Sequence, residues 1–208
     1  MAGHEIVPYS TDAQAVSGVD TASAVTPASL TARLNADLVG KWDDVLMPVT
    51  AINPSGPDGT MTVDTTEIFG SLVASVVGTP SCCALFQLNH QYQVGTALSL
   101  HVHYVKNDGA DNAGTVPFEA KWIVIPIGAT VTTTYSNYAA GTIMVDPGDT
   151  KLKHGIQSWV IPATGLDISS IIAVVIRRNG GTSGQANLLG ADVHYQKGQQ
   201  GSTNESSL

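Results

Sequence analysis

The chain has 208 residues, of which 43% are hydrophobic and only 12% charged, with 9 basic against 17 acidic side chains and a net charge of −8. That length admits one large domain with a real core. The scattered Lys and Arg, with Arg177-Arg178 the one adjacent basic pair, exclude the clustered positive charge that a nucleic-acid partner requires.

The opening "MAGHEIVPYSTDAQAV" has no charged segment followed by an apolar one, so no signal peptide is expected. No apolar run approaches the roughly 20 residues that span a bilayer, and no membrane partner is expected. Residues 1–40 hold many small and polar side chains and one aromatic, Tyr9. Within them "VTPASLTARLNADLVG" predicts a helix over about 27–39. Thr26 suits the N-cap and Pro27 the first turn, Gly40 follows as the stop, and Leu30, Leu34 and Leu38 recur every four residues as one apolar stripe. About 13 residues make a helix that is marginal alone in water, so the stripe must dock on something. We therefore take Pro27, Leu30, Leu34 and Leu38 as candidate attachment or oligomerisation residues.

Residues 41–57 are expected as a linker running into the turn cluster "NPSGPDG". From residue 58 to 198 the pattern is one of short β-runs between turns. "MTVDTTEIFGSLVASVV" and "CCALFQL" come first, then "ALSLHVHYV" and "FEAKWIVIPI". "TVTTTYSNY" reads as a strand or extended loop, and "HGIQSWVIPA", "SSIIAVVIRR" and "NLLGADVHYQK" close the series. About eight such runs predict an all-β fold, an antiparallel β-sandwich or jelly roll, preceded by the extended N-terminal arm with its one short helix. Residues 199–208 form a polar tail. Cys82 and Cys83 are adjacent, a spacing at which a mutual disulfide is strained, so no disulfide framework is expected and synthesis in a reducing cytoplasm fits.

Histidines carry the main chemical question. In a strand, alternate side chains share a face, so His101 and His103 lie on one side and Leu100, Val102 and Tyr104 on the other. In the last run Asp192 and His194 share a face, opposite Val193 and Tyr195. If the two strands are neighbours, three histidines and an aspartate converge into a set able to bind a divalent transition metal. The candidate metal residues are thus His101, His103 and His194. The other reading makes them polar sandwich-face histidines, hydrogen-bonded or at a subunit contact. No cofactor is expected on that reading.

Gly95 followed five residues later by His101-x-His103 also resembles the opening of the cupin metal motif. The resemblance implies, as one alternative, a jelly-roll metalloenzyme. The rest of that motif departs here: Asp108 stands where a Glu is wanted, and Pro147-Gly148 and His154 have the wrong spacing and no Asn. No nucleophile elbow, phosphate loop or dinucleotide fingerprint is present. Most carboxylates fall in turn-like stretches, where Asp is favoured for backbone reasons.

Two further stretches resemble segments of tailed-bacteriophage virion proteins. Residues 10–34, through Gly18-Val19-Asp20-Thr21 and Ala24-Val25-Thr26-Pro27, are similar to a segment recurrent in phage tail-fibre proteins. The stretches His101 to Tyr104, Trp122, Ile168 to Arg177 and His194 to Gln196 resemble a β-domain of small phage structural proteins. The resemblance implies a virion component without enzymatic activity, made in the host cytoplasm. Its first form is a short tail or head fibre subunit, attached by its arm and assembled with itself, as a trimer, and with capsid, portal or tail proteins. The alternative is a capsid decoration protein, and a fibre tip adds a host surface glycan as a partner.

Overall fold

The computed structural model describes residues 30, 32–33, 41–65, 70–74, 78–106, 117–147, 152–179 and 185–198. In the expected helix, Leu30, Ala32 and Arg33 are helical and Leu30 is half exposed. Pro27, Leu34 and Leu38, like the tail, lie outside the described residues.

Thirteen strands follow in chain order among the described residues: β1 (Trp42–Pro48), β2 (Ser55–Gly56), β3 (Gly59–Thr60), β4 (Thr62–Val63), β5 (Leu72–Ala74), β6 (Ser81–Gln87), β7 (Leu98–Lys106), β8 (Phe118–Ile125), β9 (Ala139–Ala140), β10 (Thr142–Val145), β11 (His154–Ile161), β12 (Ile171–Arg178) and β13 (Ala186–Gln196). They form two sheets packed as a sandwich. The seven-stranded sheet runs β10-β11-β7-β13-β5-β4, with β1 also paired to β13. The six-stranded sheet runs β2-β3-β6-β12-β8-β9. All pairings are antiparallel except the single Thr60–Ser81 contact of β3 with β6. No described helix is long and apolar enough to cross a membrane.

Period-two alternation explains which side chains fill the space between the sheets. Leu100, Val102 and Tyr104 of β7 and Ala191, Val193 and Tyr195 of β13 face Ala84 and Phe86 of β6, Ile172, Val174 and Ile176 of β12 and Phe118 of β8. Each fully buried Leu, Ile or Phe contributes about 1.5–3 kcal/mol. The rings of Tyr104 and Phe118 meet edge to face at 5.9 Å, and burial raises the Tyr104 hydroxyl to about 12. In β12 the run "IIAVVI" reads as continuous because Ala173 and Val175, which point away from that core, are buried as well.

Residues 41–57, expected as a linker, are instead part of the sandwich. Trp42, Asp44 and Leu46 face outward, while Val45 and Met47 pack against the core. That alternation makes β1 a strand, paired along its whole length with β13 from Trp42–Gln196 to Pro48–Gly190. Asp43 ties it down: it accepts from the Tyr195 hydroxyl at 3.1 Å and pairs with Lys197 at 2.8 Å. "TVTTTYSNY" takes the extended-loop form. It lies over the outer face of the six-stranded sheet, where Tyr138 stacks under the Arg177 guanidinium at 3.5 Å and Arg177 pairs with Glu119 at 2.7 Å.

One side chain stitches the two sheets directly. Gln157 on β11 is fully buried; its Nε2 donates to the Phe118 carbonyl at 2.7 Å and its Oε1 accepts from the Phe118 N–H at 3.2 Å. An unmade buried hydrogen bond costs about 1–3 kcal/mol. Gln157→Leu, which keeps the volume but strands both backbone groups, is therefore expected to lower unfolding stability by about 2 kcal/mol in urea titration. An unchanged midpoint would show that water satisfies Phe118 instead.

Candidate functional site

The outer face of the seven-stranded sheet carries the polar cluster, and a bulge puts it there. Leu188 pairs with Tyr104 and faces the core, but one extra residue in β13 then shifts the register, so that Gly190 pairs with His103. Without that shift Asp192 and His194 would share the face of Leu188 and point inward. With it, Ala191, Val193 and Tyr195 take the core, and Asp192 and His194 turn outward. The bulge lies where β13 changes its other neighbour from β5 to β1. Beyond it Asp192 stands opposite His101, and His194 opposite Ser99.

The three histidines expected to converge do so, around Asp192. That carboxylate is 4% exposed. Its Oδ2 lies 2.7 Å from His103 Nε2. Its Oδ1 lies 3.0 Å from His194 Nε2 and 3.5 Å from His101 Nδ1, yet accepts no hydrogen bond from either. His101 Nε2 is engaged with Ser99 Oγ at 3.0 Å. The His101 and His194 rings sit 4.1 Å apart. A fourth histidine, His154 on β11, extends the chain of contacts, with its Nε2 2.9 Å from His103 Nδ1. Burial, and then the neighbouring His194, holds His101 below the ordinary histidine range against the opposing pull of Asp192. Burial and His103 lower His154 in the same way.

Among the sequence candidates, His101 and His194 offer free-facing ring nitrogens, together with the Asp192 carboxylate, and their ligand atoms lie within 4.8 Å of one another. His103 is spent differently. Both of its ring nitrogens are taken, one by Asp192 and one by His154, so it orients the carboxylate rather than joining the donor set. Asp192 was visible on the His194 face in the sequence. His154 was not recognisable as a partner, because cross-strand register is not written in either strand alone; Ser99, two residues before His101 on the same strand, was placed on its face by the alternation but went unused.

A pocket of about 430 Å³ opens beside the cluster, lined by Trp42, Leu98, Ser99, His101, Met144, Val160 and His194. Trp42, Met144 and Val160 are all more than half exposed. Leu46 is exposed on the same sheet face, opposite Asp192. Nothing in the linker-like composition of residues 41–57 marked Trp42 as a pocket wall; the alternation of β1 is the signal that would have found it.

No protein-family model matches the chain, and no curated protein does. Among solved structures it is similar to a family 35 carbohydrate-binding module from Cellvibrio japonicus, with a TM-score of 0.43 and 9% identity over 74% of this chain and 98% of the module. A family 35 module from Clostridium thermocellum gives a TM-score of 0.40 and 10% identity over 73% of this chain and 97% of that one. The enzymatically active domain of tailspike protein 4 from Bacteriophage CBA120 gives 0.32 and 10% identity over 74% of this chain and 19% of that one.

The paired contacts of His103 fix its tautomer. When neutral it donates Nε2–H to Asp192, which leaves Nδ1 to accept from His154 Nε2–H. Long-range proton–nitrogen NMR at pH 8 is expected to show both rings in the Nε2–H form, with the His103 preference lost in Asp192→Asn. A predominantly Nδ1–H His103 would contradict this network.

Proposed function

We propose that this chain is a structural subunit of a tailed-phage particle, a short tail or head fibre protein, rather than an enzyme. Its arm attaches it and its β-sandwich packs against further copies of itself. The arm's resemblance to tail-fibre segments supports the particle, through Gly18 to Thr21 and Ala24 to Pro27. The observation that carries the packing is the exposed set of Trp42, Leu46, Met144 and Val160 on and beside one sheet face. Large exposed apolar side chains gathered on one face mark a contact surface, whereas scattered ones need no explanation. On the six-stranded sheet Tyr138, Arg177, Glu119 and Lys121 cover part of the outer face with stacked and paired charges, and Leu85 and Ile171 stand exposed beside them. Capsid decoration is the neighbouring form of the same proposal, with capsid subunits in place of fibre copies.

The experiment is a mass measurement in solution together with peptide mass spectrometry of phage particles from the genome that encodes the chain. The expected result is a trimer that is present in the particles and that Val160→Glu converts to folded monomer. A monomeric wild-type chain absent from particles overturns the proposal.

A second reading is favoured by one residue. Trp42 stands exposed at the rim of the pocket, the arrangement in which an aromatic face stacks on a sugar ring. If the face receives a host surface glycan, array binding is expected and falls at least tenfold in Trp42→Ala; no binding to any host envelope sugar removes this reading.

A further inference from the structure

We propose that His101, Asp192 and His194 bind a divalent transition metal ion, with zinc as the best match, on the outer face of the seven-stranded sheet. Two imidazoles and one carboxylate are a donor set that zinc accepts. With metal–ligand bonds of about 2.0–2.1 Å, tetrahedral donors sit about 3.4 Å apart. Asp192 Oδ1 lies 3.0 Å from His194 Nε2 and 3.5 Å from His101 Nδ1, which brackets that spacing.

Hydrogen bonding alone does not account for this geometry. Asp192 is 4% exposed and its Oδ1 has no hydrogen-bond partner, although two ring nitrogens crowd it. A buried carboxylate oxygen so placed has only the His194 and His101 rings to compensate it, and only when they are protonated; a cation at the centre of the three donors supplies that compensation with both rings neutral. The surrounding contacts have the form of outer-shell support. Ser99 Oγ holds His101 Nε2, which leaves Nδ1 toward the centre. His103, backed by His154, holds Asp192 Oδ2, which leaves Oδ1 toward the centre. Metal-binding histidines and carboxylates are oriented in this manner by groups that do not touch the ion. The three donors come from two adjacent strands, β7 and β13, so the ion also pins the pair whose register builds the sandwich. His101 and His194 both line the pocket, so two of the three donors border open space.

The test uses the full chain with no affinity tag, purified without chelator. Elemental analysis and calorimetric titration with zinc chloride read stoichiometry and affinity, and cobalt substitution reads geometry through its visible spectrum. One ion per chain is expected, with a tetrahedral cobalt spectrum and a rise in melting temperature on adding zinc. His194→Ala changes a partly exposed side chain and is expected to stay folded by circular dichroism while losing the ion and the thermal shift. His103→Gln keeps all three ligands and is expected to weaken binding about 10–100-fold. His90→Ala, whose ring contacts Ser169 elsewhere, is expected to change nothing. Substoichiometric metal, or zinc binding that survives undiminished in His194→Ala, overturns the assignment.

Discussion

A carboxylate taken out of water must be compensated, and Asp192 is the place where this fold meets that demand. The side chain is held on one oxygen by His103 and surrounded on the other by His101 and His194. It reaches that setting only because β13 contains one extra residue near Leu189, where its pairing with β7 shifts. The same shift sends Val193 and Tyr195 into the core. Core and cluster are therefore one decision of register. A strand slipped by one residue would bury His194 and expose Tyr195, and both errors are expensive. The cluster is thus tied to the correct fold, whatever it binds.

Its location on central strands also matters. Binding residues usually ride on loops, but here the donors stand on β7 and β13, which pair over eight positions and lie side by side within the sheet. Sites on strands hold their geometry more closely than sites on loops. Gln157 adds to this by fastening β11, the strand that brings His154, to the opposite sheet through Phe118. The cluster on the outer face of the other sheet, where loop-borne Tyr138 stacks against Arg177 of β12 and lies beside Lys121 of β8, is of another kind. Its charges are paired or stacked, and it shields the sheet.

Much of this was legible in the sequence, for a physical reason. Side-chain alternation is a local property, so "HVHY" and "DVHY" each disclosed which residues share a face, and the β-sandwich class followed from the runs and turns. Pairing between strands is not local. That His154 would stand beside His103, 51 residues earlier in the chain, depends on β11 lying against β7. The linker reading of 41–57 failed for a different reason. Asp43 and Asp44 dilute the apolar signal of β1, yet Asp43 belongs to the fold through Tyr195 and Lys197, a contact no pattern in residues 41–57 contains.

The contact face and the histidine cluster constrain each other. Protein interfaces commonly place apolar side chains at the centre and polar ones at the rim. This face is arranged the other way: a buried carboxylate with three imidazoles lies at the middle strands, and Trp42, Leu46, Met144 and Val160 stand around it. Asp192 Oδ1 is already out of water before anything covers the face, at about 1–3 kcal/mol or more for a charged group, and a partner that covers the face also takes the partly exposed His103 and His194 rings out of water. A donor from the partner, a protonated His194 or His101, or a bound cation can each meet that oxygen. With a divalent ion in place Asp192 Oδ1 is satisfied, but one carboxylate and two neutral imidazoles leave net positive charge at the centre, so the face favours a partner that brings an acceptor or an acidic group to it. The affinity of this face for any protein partner is therefore expected to depend on how Asp192 Oδ1 is met.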